Sequence, residues 1–206
     1  MFYRPGLDPH GLPRDPFKAL LAPRPIAWVS TLDAEGRANL APFSYFNGVA
    51  DSPPIVMFAP HGAKVGRDEG KDTLANVLAT GEFVVNLVGW GLRDAMNVTS
   101  GPYPPGEDEF DIAGLEKAPC EVVAPPRVAA APAAFECRFL TRTVLPSTDP
   151  NYDNGAVFGE VVGVHVREDI LTDGRVDIAL YQPVARLGYR DYAVIREVFQ
   201  MTRPKG

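Results

Sequence analysis

Short apolar segments with the composition of β-strands recur along the chain and are separated by turns. Residues 26–31 (IAWVST) are rich in β-branched and aromatic side chains, which favour strands. Residues 33–36 (DAEG) have the composition of a turn in which Gly36 can take a positive φ. Residues 37–43 follow this turn and are predicted to run back along residues 26–31 as the second strand of a β-hairpin. Further strands are predicted over residues 55–59, 82–88, 135–145 and 157–166.

Helical periodicity is clearest in one segment, which begins near Asp72. Asp72 is a favourable N-cap residue, and Gly81 is a typical residue just beyond a helix C-terminus. Between them, Leu74, Val77 and Leu78 form one apolar stripe at helical spacing. The pattern predicts an amphipathic helix that packs against the strands.

The predicted elements are six or seven strands, one clear helix and short connections. A second short helix over residues 92–97 and a rigid loop over residues 101–106 do not change this pattern. Strands do not alternate with long helices, so we expect an antiparallel β-barrel with helices packed outside it. Residues 1–17 are rich in proline, glycine and charge and are predicted to form an irregular N-terminal arm. The prediction is one domain over residues 1–206.

Composition supports a fold rich in turns and excludes several partners. The 206 residues include 19 glycines and 21 prolines, whereas average usage gives about 25 of both together. The net charge of −6 argues against a nucleic-acid or anionic-membrane surface, both of which require basic residues. Neither an 18-residue apolar run nor a signal-peptide pattern is found. We therefore expect a cytoplasmic protein.

Several common chemical motifs do not occur in the sequence. Cys120 and Cys137 form no CxxC pair and are interpreted as idle or buried thiols. The three histidines lack the spacing of a zinc site, so no metal site is predicted. Residues 66–72 (GRDEGKD) fail the spacing of a phosphate-binding P-loop. No GxSxG elbow and no GxGxxG sequence is found, so a nicotinamide or flavin would not bind in a Rossmann domain.

A set of segments spread along the chain carries a family resemblance. In order they read PRPIAWVST, NLAPFSYF, DSPP, KDTLAN and GEFVVN, and further matches lie at residues 97–102, 109–110, 114–115, 158–162 and 185–188. The sequence resembles the flavin reductase family with the FMN-binding split-barrel fold, a mainly β, antiparallel Greek-key barrel with flanking helices. The resemblance covers nearly the whole chain. It implies FMN as cofactor, NADH or NADPH as co-substrate, and a homodimer with flavin at the subunit interface.

A phosphate site for FMN is predicted at the start of the helix near Asp72, where free backbone N–H groups and the helix dipole favour an anion. Lys71 adds a positive charge and Thr73 a hydroxyl donor, whereas Asp72 is predicted to cap the helix and point away. Arg67 is a second candidate charge. A capped surface helix without any ligand is the alternative interpretation.

The ribityl chain and the ring have their own candidate residues. Ser30 and Thr31, at the end of the first predicted strand, are candidates for hydrogen bonds to the phosphate or ribityl group. Pro42 interrupts the extended segment 39–44, which leaves neighbouring backbone groups outside a regular ladder. The resemblance implies that this segment contacts the pyrimidine edge of the flavin; a sheet-edge bulge is the alternative. The candidates are Asn39, Leu40, Ala41, Phe43 and Ser44.

The nicotinamide side is less clearly marked in the sequence. Many family reductases have a histidine in the loop before the strand at 157–166, where this chain has Asn154. His165 is a second candidate, although a lone histidine on an apolar strand is commonly structural. Arg186, Gly188 and Tyr189 are candidates for a flavin contact or for the dimer edge.

Three functional hypotheses follow. The first is an NAD(P)H-dependent flavin reductase, with a monooxygenase as the expected recipient of reduced FMN. The second is an FMN-binding electron carrier without NAD(P)H activity, and the third is a binding module that has lost flavin. In the first, the flavin accepts a hydride at N5 while the protein supplies geometry and hydrogen bonds.

Overall fold

A computed structural model describes residues 1–62 and 70–204 of the chain. Helices occupy α1 (Phe17–Leu20), α2 (Asp72–Thr80), α3 (Arg93–Val98), α4 (Glu109–Ile112) and α5 (Ile178–Tyr181), with 3₁₀ turns at Trp90–Leu92 and Glu168–Ile170. The strands are β1 (Arg24–Pro25), β2 (Ala27–Leu32), β3 (Ala38–Phe43), β4 (Phe46–Asp51), β5 (Pro54–Phe58), β6 (Glu82–Asn86), β7 (Lys117–Ala118), β8 (Arg127–Val128), β9 (Ala133–Val144), β10 (Gly155–Val166), β11 (Leu171–Thr172), β12 (Arg175–Val176), β13 (Val184–Arg186) and β14 (Tyr192–Val194).

A seven-stranded antiparallel sheet organises the molecule. Its strand order is β3–β2–β6–β9–β10–β5–β4, which leaves β3 and β4 at the two edges. A smaller sheet of order β1–β13–β14 joins the segment before β2 to the C-terminal hairpin. The prediction of a mainly β, antiparallel fold with helices outside the strands is confirmed.

The predicted hairpin is confirmed in register as well as in position. β2 and β3 pair antiparallel with Thr31 opposite Asn39, and Gly36 in the turn has φ +80°. β4 was not predicted, because only Phe46 of its six residues is buried and the others are exposed. A strand without alternating apolar residues gives no periodic signal.

Helix α2 differs by one position from its prediction. It begins at Asp72, so Lys71 occupies the N-cap position, and Lys71 makes no side-chain capping bond. The prediction that Asp72 caps the helix is therefore wrong. At the other end, Gly81 takes a left-handed conformation and donates its N–H to the Val77 carbonyl. Val77 is fully buried, whereas Leu78 is half exposed at the edge of the apolar stripe.

Two apolar cores lie on opposite faces of the β2–β3 hairpin. Val29 and Phe43 point into the core that α2 covers, while Trp28 and Leu40 point into a second core that contains Phe110 of α4. This alternation follows from the two-residue period of strands. Helices on both faces therefore approach the free edge of β3. No helix within the described parts of the chain is long and apolar enough to cross a membrane.

Candidate functional site

The free edge of β3 forms one side of the candidate site. β3 pairs with β2 alone, and the Leu40 N–H turns away from β2 to donate to the Glu109 carboxylate at 2.9 Å. Successive residues of an antiparallel strand bond to alternate sides. Pro42 therefore presents its carbonyl at the same edge as Leu40, and it has no N–H to offer. This edge offers backbone groups that are not used by any strand of the described chain.

A narrow cavity of about 140 Å³ lies between β3, the start of α2 and the segment after α3. Its wall contains Lys71 and Thr73, two of the residues predicted for the phosphate end, and also Asp72, which was predicted to point away from it. Thr73 is fully buried in the first turn of α2, and Lys71 and Asp72 precede it at the rim. The predicted site residues in this wall are Asn39, Ala41, Phe43, Lys71, Asp72 and Thr73.

A buried polar network connects the two sides of the narrow cavity. Asn39 Nδ2 donates to both oxygens of the Glu109 carboxylate at 3.0 Å, and Asn39 Oδ1 accepts from Thr73 Oγ1 at 2.7 Å. Glu109 is 5% exposed and also lines the cavity. Burial raises the pKa of its carboxyl, although the bonds from Leu40 and Asn39 oppose that rise. The network fixes the start of α2 relative to the edge of β3.

Ser30 and Thr31 are both fully buried, and they face opposite sides of the sheet. Thr31 Oγ1 accepts from Asn76 Nδ2 of α2 at 2.9 Å and so lies behind the narrow cavity. Ser30 Oγ donates to the Pro126 carbonyl at 2.6 Å. Neither residue belongs to the described walls of the narrow cavity. The structure therefore places Thr31 next to the predicted phosphate end and turns Ser30 away from it.

A wider cavity of about 620 Å³ adjoins the narrow one, because Pro42, Phe43 and Ser100 line both. Its walls are the end of β3 with Ser44 and Tyr45, the helix α1, and the hairpin of β13 and β14. Together the two cavities form a continuous groove that follows β3 from the start of α2 to the C-terminal hairpin. We call it the β3 groove.

The outer wall of the wide cavity is held together by Arg24. Its guanidinium donates to the carbonyls of Lys18 at 2.5 Å and Leu187 at 2.8 Å, and it also bonds the Leu21 carbonyl. These bonds attach α1 to the turn between β13 and β14. Gly188 completes the contact, because a Cβ there would lie only 2.7 Å from the Ala19 Cα.

Arg186, one of the predicted site residues, lies in the wall of the wide cavity. Its guanidinium donates to the Tyr189 carbonyl and lies over the Tyr192 ring, with 4.5 Å between the guanidinium carbon and the ring centroid. Tyr189 has φ +54°, which is uncommon for a residue with a large side chain. Cationic and aromatic groups thus form a wall suited to a flat or anionic ligand.

Besides Ser30, Thr31 and Leu40, further predicted residues are absent from the described walls of the β3 groove. Asn154 Nδ2 donates to the Pro146 carbonyl at 2.9 Å, and His165 Nε2 lies 2.6 Å from Glu136 Oε1. Neither residue lines either cavity. Arg67 lies outside the described residues, so its role stays a prediction.

Cys120, Glu136 and His165 form a second polar cluster, in which the potential metal-ligand atoms lie within 4.8 Å of one another. The Glu136 carboxylate accepts the backbone N–H groups of Glu121, Val122 and Val123, besides its contact with His165. Burial alone would raise the pKa of Glu136, but these bonds bring it below its usual value. Burial and the nearby Glu136 raise the pKa of the Cys120 thiol to about 12. The three N–H groups that donate to Glu136 attach residues 121–123 to β9.

Sequence reasoning missed the roles of Glu109 and of Tyr192, which lies opposite β3. Glu109 was noted as part of a matching segment, but a single glutamate gives no sign that it will be buried. Tyr189 was a candidate together with Arg186, and only the clustering of tyrosines near the C-terminus could have added Tyr192 to the same wall. Arg24 belongs to the PRPIAWVST segment (residues 23–31) and was not considered as a side chain.

Comparisons with known proteins give a consistent assignment. A family model for the flavin reductase like domain matches residues 20–186. The structure of nitrilotriacetate monooxygenase component B from Bacillus cereus is similar to this chain, with a TM-score of 0.87, 32% identity and coverage of 98% of both chains.

Two further solved structures extend the comparison. Pseudomonas fluorescens 2-nitrobenzoate 2-nitroreductase matches with a TM-score of 0.78 and 30% identity, over 91% of this chain and 88% of that one. A protein from Shewanella frigidimarina, described as a flavin reductase with a split barrel domain, has a TM-score of 0.78 and 22% identity, over 91% of this chain and 90% of that one. The latter similarity shows the fold, and the split-barrel prediction is confirmed.

Proposed function

The chain belongs to the flavin reductase-like family, and on that premise we propose that it is an FMN-binding oxidoreductase that uses NADH or NADPH as hydride donor. The observation that carries the proposal is the β3 groove, which combines a cavity at a helix start with a wide cationic and aromatic cavity. An FMN molecule has the matching sequence of groups: a phosphate, a polar ribityl chain and a flat ring.

The residues present fit FMN at the phosphate end. Lys71 supplies positive charge at the rim, and the first turn of α2 supplies N–H groups that have no partner within the helix. Asn39 and Thr73 are already held in place by their mutual hydrogen bond and by Glu109. Because the Thr73 hydroxyl already donates to Asn39, the N–H groups at the start of α2 and the Lys71 ammonium are the proposed donors to the phosphate.

At the ring end, the proposed roles belong to the β3 edge and the wall opposite it. The Pro42 carbonyl and the polar side chain of Ser44 are suited to the pyrimidine edge, while Phe43 and Tyr45 border the ring face. When bound, a flavin supplies the hydride acceptor, so the protein needs no nucleophile or general acid. The chain orients both ligands and excludes water from the space between them.

The wide cavity provides room for the nicotinamide. Its volume of about 620 Å³ falls within the range of small-molecule sites. Lys18 and Arg186 at its walls would favour the anionic phosphates of a dinucleotide. A monooxygenase as recipient of the reduced flavin is supported by the name of the Bacillus cereus relative, which is a monooxygenase component.

The second candidate function is an FMN-binding electron carrier that receives electrons from a protein. It is favoured by Asn154, because its side chain is bonded to the Pro146 carbonyl and does not line the described wall of the wide cavity. A carrier and a reductase share the same FMN site, so direct reduction by a nicotinamide distinguishes them.

We also propose that the chain forms a homodimer through an apolar groove of about 560 Å³ that β4, β5 and β10 border. Ile55, Val161 and Val164 line it, and Val164 is 60% exposed. Phe2 and Phe199, near the two ends of the chain, are more than four-fifths exposed. Apolar surface of this extent is typical of a protein interface.

The decisive experiment follows the flavin absorbance of FMN-saturated protein under anaerobic conditions while NADH, and then NADPH, is added. Rapid bleaching with one or both donors is expected and would give the nicotinamide preference. A protein-bound flavin spectrum that does not bleach would favour the electron carrier. A spectrum of free flavin after mixing would contradict both candidate functions.

A further inference from the structure

Glu109 is an unusual wall residue for a phosphate site, because it places a buried carboxylate beside a ligand that carries negative charge. It lines the same narrow cavity as Lys71 and Thr73 and is 5% exposed. Its hydrogen bonds come from Asn39 Nδ2 and the Leu40 N–H, which are both neutral donors. A charged carboxylate that is buried without an ion-pair partner is costly for the folded protein.

The charged groups around Glu109 come from two elements. On α2, Asp72 opposes ionisation of Glu109, and Lys71 lies in the same cavity wall. On its own side, Asp108 caps α4, and both Asp108 and Asp111 are paired with Lys117. β3 contributes only the neutral groups of Asn39 and Leu40. Within the described chain, the Glu109 carboxylate has no ion-pair partner within 4 Å.

We propose that Glu109 is a positioning residue that holds Asn39 and Thr73 ready for the flavin phosphate, and that it takes up a proton when the phosphate enters the narrow cavity. This inference rests on the proposed FMN site. A dianionic phosphate in the cavity adds negative charge near a carboxylate that is already disfavoured in its charged form by burial. Protonation removes the repulsion, and the neutral carboxyl can still accept from the Leu40 N–H.

The proposal has a consequence for affinity that differs between two ligands. If the phosphate raises the pKa of Glu109 by one unit, linkage requires FMN affinity to fall about tenfold as the pH rises through the pKa values of the free and bound protein. Riboflavin has the same ring and ribityl chain without the phosphate, so its affinity should not show this change.

The test measures FMN and riboflavin binding to the full chain by calorimetry at pH 5.0 to 8.0, in buffers of different ionisation enthalpy. Proton uptake with FMN should be greater in the wild type than in Glu109→Gln, by up to one proton. The FMN phosphate titrates in both proteins and cancels in this comparison. Glu107→Gln is the matched control, because Glu107 is an exposed carboxylate two residues away, and it should behave like the wild type.

Each result has a defined meaning. Equal proton uptake in Glu109→Gln and the wild type would overturn the proposal. If Glu109→Gln does not fold, infrared difference spectra of the wild type decide the question, because the C=O stretch of a protonated carboxyl should appear on binding FMN and not riboflavin, and a phosphate group contributes no such band; its absence with FMN would overturn the proposal. Absence of FMN binding to the wild type would instead contradict the proposed function itself, and the inference with it.

Discussion

Two glutamates show how one residue type can be buried in opposite electrostatic states. Glu136 is 1% exposed and accepts three backbone N–H groups besides contacting His165, which brings its pKa below the usual value despite burial. Glu109 accepts from the Leu40 N–H and the Asn39 side-chain amide and lacks a histidine partner within the described chain, and burial raises its pKa. The number of donors that face a carboxylate decides which of the two effects dominates.

Replacing Glu136 by Gln should destabilise the protein by about 2 kcal/mol at neutral pH, since hydrogen bonds to a charged acceptor are lost. A carboxyl whose pKa is lowered by folding stabilises the folded state above its unfolded pKa, near 4.5, and loses that effect as pH falls through the folded value. The difference in melting temperature between Glu136→Gln and wild type should therefore shrink below about pH 4.5. Glu168→Gln, at an exposed glutamate, is the control. A difference that is constant with pH would contradict this account.

The charge on Lys71 should matter for FMN and not for riboflavin. Lys71→Ala removes a cation from the rim of the narrow cavity, and a charge-assisted bond to phosphate is worth roughly tenfold or more in affinity. Fluorescence titration with both ligands measures the effect. Arg175→Ala, in the exposed β11–β12 hairpin, removes one cation elsewhere and should leave both affinities unchanged. Equal FMN affinity in Lys71→Ala and wild type would contradict the proposal that the FMN phosphate binds at this end of the groove.

At the scale of elements, the contact of α1 with the β13–β14 turn controls the outer wall of the wide cavity. Gly188→Ala would place a Cβ against Ala19, so α1 must move. We expect a loss of about 1–3 kcal/mol in stability and a higher KM for the nicotinamide, with FMN affinity nearly unchanged. Thermal unfolding and steady-state kinetics measure the two effects. Gly91→Ala is the control, because a Cβ there meets no atom within 4 Å. An unchanged KM would contradict a role for the contact between α1 and the β13–β14 turn in nicotinamide binding.

Elements with a regular apolar period could be predicted from the sequence. Only some of the residues that line the β3 groove between them could be predicted. The β2–β3 hairpin and α2 follow from alternation, a turn glycine and a C-terminal glycine. Lys71 and Thr73 could be singled out in the sequence because they lie on one stretch of chain at a recognisable helix start. Glu109 lies beside these residues because it bonds to Asn39, which is 70 positions away in the sequence. Sequence spacing cannot reveal such a contact. The wall formed by Arg24 and Tyr189 depends equally on tertiary pairing of distant segments.

At the scale of the whole molecule, the open question is whether one chain is sufficient to complete the site. The apolar groove that borders β4 and β10 is separate in its lining residues from the β3 groove. Met1, Phe2 and Phe199 are exposed apolar residues that would extend the surface covered by the proposed partner. A second copy of the chain is the proposed partner.

Val164→Glu tests the dimer, because it places a charge in the apolar groove where Val164 is 60% exposed. Burying an unpaired carboxylate at an interface is costly, so light scattering should give one chain mass of 22.3 kDa, whereas the wild type should give twice that mass. Val176→Glu changes a valine that is 47% exposed in the β11–β12 hairpin and should remain dimeric. If flavin binds at the interface, the monomeric variant should also lose FMN affinity. Wild-type protein that scatters as one chain at micromolar concentration would contradict the proposed dimer.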